Sequence, residues 1–228
     1  MRGNGCTIED SFELLDCRCY LEQMTSTLPE SDDGAFLVRA EVALRGLFVI
    51  AHSANELHFA QSLSPEFRGL SDAGWNTAHE LMAAVDDYVA FFKSAAPSRV
   101  NARIALGFYS HLAEASGFYE VPKNMLRVAE GLPSVVTPFR HLVKIHETTG
   151  EKIAPNANKV MRDLVGHSAT LGLTALSEVF RDAFDADVRN GYAHADYVLW
   201  RDEIRLPRRN GGRRRTVPFD EFQTHFRQ

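Results

Sequence analysis

What most constrains this chain is the spacing of its apolar residues, which recur every three to four positions over long stretches. Leu37, Ala40, Leu44, Leu47, Phe48 and Ala51 make one stripe, and Leu81, Val85, Val89 and Phe92 make another. A longer pattern runs through Val160, Leu164, Val165, Leu171, Leu176, Val179, Phe180, Ala183 and Phe184, with Pro155 and Asn156 placed to start it. Stripes of this period cover one face of a helix and have to be buried against another element. Turn signals at 28–34, Ser64-Pro65, Ala95-Ala96-Pro97-Ser98, Val121-Pro122, Gly131-Leu132-Pro133 and Thr149-Gly150 cut the chain into about six or seven helices.

The period changes after Tyr197. Tyr197, Val198, Leu199 and Trp200 prefer strands, Ile204-Arg205-Leu206 continues the alternation toward Pro207, and Asn210-Gly211-Gly212 separates it from Arg213–Val217. A β-hairpin over about 197–217 is expected, followed by a short closing helix carrying Phe219, Phe222 and Phe226 at i, i+3 and i+7. The fold class is therefore all-α, a multi-helix bundle with a small C-terminal hairpin. No gap reads as a linker and no repeat is present, so a single helical domain over 1–228 is expected. At 228 residues, with 45% apolar and 24% charged residues, such a chain buries a substantial core and is neither disordered nor disulfide-dense.

Charge and cysteine usage narrow the setting. The net charge is −5, but residues 181–228 sum to +2 while 1–180 sum to −7, so the C-terminal end is the basic one. Cys6, Cys17 and Cys19 are an odd number confined to the first twenty residues, and read as reduced thiols rather than a disulfide framework. The N-terminus has no apolar run of secretory type, and the most apolar window, Val42–Ala51, contains Arg45. A soluble cytoplasmic protein is expected.

The chemistry concentrates in Arg189-Asn190-Gly191-Tyr192-Ala193-His194-Ala195-Asp196-Tyr197. Arginine grips a phosphate bidentately and keeps its charge; histidine has the unperturbed pKa that moves protons near neutrality. On a continuous helix Asn190, His194 and Tyr197 share a face, whereas Arg189 and His194, five residues apart, stand roughly 140° apart. Their meeting over one phosphate calls for a bend, expected at Gly191. Metal-independent cleavage of RNA needs a base for the 2′-hydroxyl, an acid for the leaving 5′-oxygen and a cation for the phosphoryl charge. Here His194 can be base or acid, Arg189 the cation and Asn190 an orienting donor. The second proton donor is left to Tyr192, Tyr197 or another subunit, and a two-fold dimer would pair two copies of the motif in one cleft.

On Arg189, Asn190 and His194, with four residues between arginine and histidine and Tyr197 following, the chain resembles the HEPN (higher eukaryotes and prokaryotes nucleotide-binding) domains. The resemblance covers the motif and the helix before it. It implies a HEPN-type core within 99–206, with the helices of 1–95 as an extension. It further implies a homodimer with metal-independent endoribonuclease activity, RNA as substrate, no cofactor, and a setting in toxin–antitoxin or defence systems with an antitoxin or regulatory partner. Family toxins regulated by nucleotidyl transfer carry a tyrosine two residues after the histidine; this chain has Asp196 there, so that mode does not carry over.

Arg208, Arg209, Arg213, Arg214 and Arg215 surround the hairpin turn and could track an RNA backbone, or else protect an edge strand by charge. No Glu-x-x-His pair, zinc-protease helix, Gly-x-Gly-x-x-Gly, phosphate-loop lysine or Gly-x-Ser-x-Gly elbow occurs, so no metal or nucleotide cofactor is expected. Two alternatives stay open. One is a non-catalytic HEPN-like module binding RNA, a nucleotide or a protein. The other is a structural motif in which Arg189 pairs with a nearby carboxylate such as Asp185 or Asp187, Asn190 caps the helix end and His194 is a satisfied, semi-buried histidine.

Overall fold

The computed structural model describes residues 32–64, 83–88, 90–91, 98–207 and 214–222. Local chemistry sets the helix boundaries. Helix α1 (Asp32–Ala54) gives way at Asn55, whose extended backbone and side chain, accepting from the His58 N–H at 2.9 Å, start α2 (Glu56–Leu63). Ser98 caps α3 (Arg99–Glu114) in the same way, accepting from the Asn101 N–H at 3.1 Å. The break expected at Pro122 falls instead at Ala115, and α4 (Ser116–Ala129) contains the proline, which costs one backbone hydrogen bond. After a 3₁₀ turn (Arg140–Leu142), strands β1 (Lys144–Ile145) and β2 (Lys152–Ile153) pair antiparallel around the turn that holds Gly150, where the sequence predicts only a break.

Asn156 caps α5 (Ala157–Thr170), as its position suggested. The long apolar pattern that follows is not one helix. It splits at Gly172 into α5 and α6 (Thr174–Asp182), and a further helix, α7 (Ala186–Ala193), starts at Asp185. Strands β3 (Val198–Trp200), β4 (Glu203–Leu206) and β5 (Arg215–Pro218) then form one antiparallel sheet in that order. The expected hairpin is its β4–β5 half, pairing Ile204 with Val217. The other half arises because the stretch read as one strand from Tyr197 to Leu206 folds back at Arg201-Asp202, with Trp200 opposite Glu203 and Arg201 at φ 50°. Residues 219–222 are helical, with Phe219 and Phe222 buried; Phe226, the Asn210-Gly211-Gly212 turn, the three cysteines and the Leu81–Phe92 stripe in part lie outside the described residues. The chain is thus mostly helical with two small sheets.

Among the described residues two buried clusters result. The first joins Leu47 and Ala51 of α1 to Met125 and Leu126 of α4, Leu164 of α5 and Leu176 and Phe180 of α6. The second joins Ala102, Ala105, Leu106 and Tyr109, at helical spacing on α3, to Val188 of α7 and to Leu199, Ile204, Leu206 and Val217 of the sheet. Among the described residues no helix is long and apolar enough to cross a membrane.

Three of the described helices end in the same way. After α4 and α5 a left-handed residue lets the following N–H reach back five residues: Leu132 to Arg127 O at 2.8 Å past Gly131 (φ 84°), and Leu173 to Ser168 O at 2.9 Å past Gly172 (φ 75°). After α7 the Asp196 N–H reaches Gly191 O at 2.8 Å, but the left-handed residue is Ala195, at φ 51°. An alanine there carries a steric cost of about 1–2 kcal/mol, part of which glycine would return through its more disordered unfolded state. Ala195→Gly is expected to stabilise the protein by about 0.5–1 kcal/mol and raise the thermal midpoint by a few degrees, measured by circular dichroism. A lowered midpoint would mean that the turn does not need a left-handed residue.

Candidate functional site

The motif lies on α7 and the turn that ends it, with Val188, Tyr192 and Tyr197 packed into the second cluster. Asp185 organises the N-terminus: its Oδ1 accepts the Asp187 and Val188 N–H groups at 2.9 and 3.1 Å, and its Oδ2 takes Arg215 from β5. Its own N–H donates at 2.5 Å to the Tyr109 hydroxyl, a phenol whose pKa burial pushes far up, so that it stays a neutral donor and acceptor. Gly191 lies on the buried side of α7. A Cβ there would come within 2.6 Å of Leu206 Cδ2, so the glycine admits strand β4.

That changes two expectations about shape. The chain does not bend at Gly191, and the helix does not continue to Tyr197. It ends at Ala193, with His194 as the capping residue (φ −102°, ψ 9°), and the turn at Ala195 carries the chain into β3. Asn190, His194 and Tyr197 therefore do not line one helical face. Tyr197 instead stacks on Tyr192, ring centres 5.8 Å apart, and both pack on the second cluster, where the Tyr192 hydroxyl is 3.0 Å from the point a Cβ on Gly107 would occupy.

The polar half of the motif stays together. Arg189 is mostly buried, and its Nη2 is paired with Glu114 at the end of α3. Its Nη1 donates to Asn190 Oδ1 at 2.8 Å, and Asn190 Oδ1 also takes the Asn158 amide of α5 at 3.5 Å. Arg189 Nε is buried without a hydrogen-bond partner among the described residues. The arginine thus pairs with a carboxylate, though neither Asp185 nor Asp187, and Asn190 holds the guanidinium plane rather than capping the helix. His194 is exposed; its backbone N–H bonds Asn190 O at 3.0 Å, and its ring has no hydrogen bond or ion pair among the described residues. Glu114 and Asn158 escaped the sequence reading because nothing local marks a residue that meets the motif only through the fold.

Of the five basic residues assigned to the hairpin tip, Arg208, Arg209 and Arg213 lie outside the described residues and Arg214 is exposed. Arg215 does not reach outward. Its partners are Asp185 and, at 3.6 Å, Glu221, which tie β5 to the start of α7.

A second polar cluster lies between α4 and α5. Lys123, 5% exposed, sits with its Nζ 2.7 Å from Asp163 Oδ2 and donates to His167 Nδ1 at 2.9 Å. His167 Nε2 in turn donates to Glu130 at 3.0 Å, and His141 Nε2 donates to Asp163 Oδ1 at 2.7 Å. These partners fix the neutral tautomer of His167, whose pKa is lowered by burial and by the Lys123 charge. Burial pushes the Asp163 carboxyl up, but hydrogen bonds from Lys123 and His141 outweigh it and hold the group below its usual range. Among the described residues no group of His, Cys, Asp and Glu converges as metal ligands, and the centre of this cluster is the Lys123 ammonium. A sequence signal existed: Lys123, Arg127 and Glu130 fall at i, i+4 and i+7, and Asp163 and His167 at i and i+4.

No family model, curated protein or solved structure matches the chain.

Proposed function

We propose that the chain is a metal-independent endoribonuclease of HEPN type that works as a homodimer. The observation that carries this reading is the exposed imidazole of His194, without a hydrogen bond or ion pair among the described residues and held at the end of the helix whose preceding residues orient a mostly buried guanidinium. His194 takes the proton of a 2′-hydroxyl; the 2′-oxygen attacks phosphorus as the bond to the 5′-oxygen breaks, and a second imidazole protonates that leaving oxygen. Arg189, with its plane set by Asn190, stabilises the charge on the phosphoryl oxygens. Tyr192 and Tyr197 pack their rings on the second cluster, and the second proton donor is assigned to a second copy of the motif. The face that follows the motif supports such pairing, since Val198 and Trp200 on edge strand β3 are 48% and 50% exposed.

Glu114 is compatible with a phosphate site because it engages Nη2 alone. A phosphodiester would take the Nε and Nη2 edge together, satisfying the unbonded Nε and releasing a carboxylate that is already 40% exposed. The same pairing favours a second reading, a non-catalytic module for RNA, a nucleotide or a protein, if Glu114 is not displaced. Incubation of the protein with single-stranded RNA and a chelator separates them. The expected products carry a 2′,3′-cyclic phosphate and a 5′-hydroxyl, and the all-DNA strand stays intact; binding without cleavage would leave the second reading, and a requirement for a divalent ion would overturn the proposed chemistry.

A further inference from the structure

The polar cluster between α4 and α5 lines an open cleft of about 440 Å³, and its charges do not cancel. Both carboxylates are taken from within: Asp163 by Lys123 and His141, Glu130 by His167. Two further cations line the same cleft, Arg127 from α4 and Arg162 from α5. Each uses Nε on a backbone carbonyl, Arg127 on Pro133 O at 3.2 Å and Arg162 on Asn158 O at 3.1 Å, and neither pairs with a carboxylate among the described residues. Their Nη groups remain for an external acceptor. With Lys123 behind them, the cleft presents a surplus of positive charge to an oxyanion, and guanidinium forks match phosphate in particular. No Phe, Tyr or Trp lines it, so it suits a backbone rather than stacked bases.

One residue links the cleft to the motif by hydrogen bonds. Asn158 gives its side-chain amide to Asn190 and its carbonyl to Arg162. At 1.5 Å and 100° per residue along α5, Arg162 lies about 6 Å beyond Asn158 and roughly 40° round from it, about one nucleotide step along the helix. We infer that the α4–α5 cleft is a second phosphate site, in which Arg127 and Arg162 hold the backbone of the RNA strand whose neighbouring phosphate lies at Arg189 and His194. This inference rests on the ribonuclease reading and names where its substrate extends.

The test measures binding of a 2′-O-methyl oligouridylate of about 12 nucleotides, which cannot be cut because its 2′-oxygen is blocked, over a series of salt concentrations. The double variant Arg127→Gln/Arg162→Gln is expected to bind about tenfold more weakly than wild type, and to lower the slope of log affinity against log salt by about 1.4, the loss of two single-strand phosphate contacts. Arg127→Lys/Arg162→Lys, which keeps the charges, is expected to retain most of the slope. Unchanged affinity and slope in the glutamine variant overturn the second site while leaving the ribonuclease reading intact, provided wild type cuts RNA. Weaker binding with the wild-type slope also overturns it, because the loss then comes from the fold rather than from phosphate contacts. A wild-type protein that neither binds nor cuts RNA overturns the underlying ribonuclease reading first.

Discussion

His194→Ala is expected to lower RNA cleavage by about 10²–10⁴-fold, the range that one positioned acid–base group contributes. The effect belongs at the upper end if two copies of the motif share one site, because a single substitution then removes both the base and the acid. The loss should be purely chemical. His194 is exposed, its ring is unbonded among the described residues, and the contact it makes within the turn is through its backbone N–H, which alanine keeps. Its stability should therefore match wild type to within the roughly 0.5 kcal/mol typical of an exposed position, with little change in the thermal midpoint. Affinity for uncleavable RNA should stay within about twofold, since the phosphate is held by Arg189. Cleavage at the wild-type rate in a purified variant would remove His194 from the mechanism. A marked fall in the midpoint would show that the imidazole is structural, which the present geometry gives no reason to expect.

What could be read from the sequence was whatever is decided within a few residues. The cap at Asn156, the stop at Ser64, the glycine that ends α4 and the β4–β5 pairing all follow from local backbone chemistry, and the structure has each in place. The misreadings occur where tertiary contacts override local preference. Pro122 stays inside α4 between Val121 and Lys123, in a helix whose Met125 and Leu126 are fully buried in the first cluster; that packing offsets the missing hydrogen bond. Ala195 and Arg201 adopt left-handed backbones that no side-chain preference announces, the one because Asp196 must reach Gly191, the other because β3 must turn back on β4. Gly191, expected as a bend, is a contact surface: Leu206 needs the space of the missing Cβ. For the site, residue types within the motif were legible, but partners were not. Arg189 and Glu114, or Asn190 and Asn158, come together only once α3, α5 and α7 are packed.

The pairing of Arg189 with Glu114 gives the second large effect, because a phosphate site and a structural ion pair predict opposite signs for one of the two partners. If the pair only holds α3 to α7, neutralising either residue should destabilise the protein and neither should strengthen binding to RNA. If the guanidinium waits for a phosphate, the carboxylate is a competitor. Glu114→Gln then leaves the cation in place, removes the competing charge and should tighten binding of uncleavable RNA by about five- to tenfold, the equivalent of about 1 kcal/mol. Arg189→Gln should instead lower cleavage by about 10²–10³-fold, the scale set by losing one preorganised donor to the reacting oxygens. Stability is the smaller readout. Glu114 is 40% exposed, so the pair is screened by water and its loss should cost about 1 kcal/mol or less, whereas removing the mostly buried arginine also strips Asn190 Oδ1 of its 2.8 Å donor. Asn190→Ala should follow Arg189→Gln in direction but with a smaller loss of cleavage, since the guanidinium remains and only its plane is released. Weaker RNA binding in Glu114→Gln, with an unchanged thermal midpoint, would contradict the competition and make Glu114 part of the recognition surface itself.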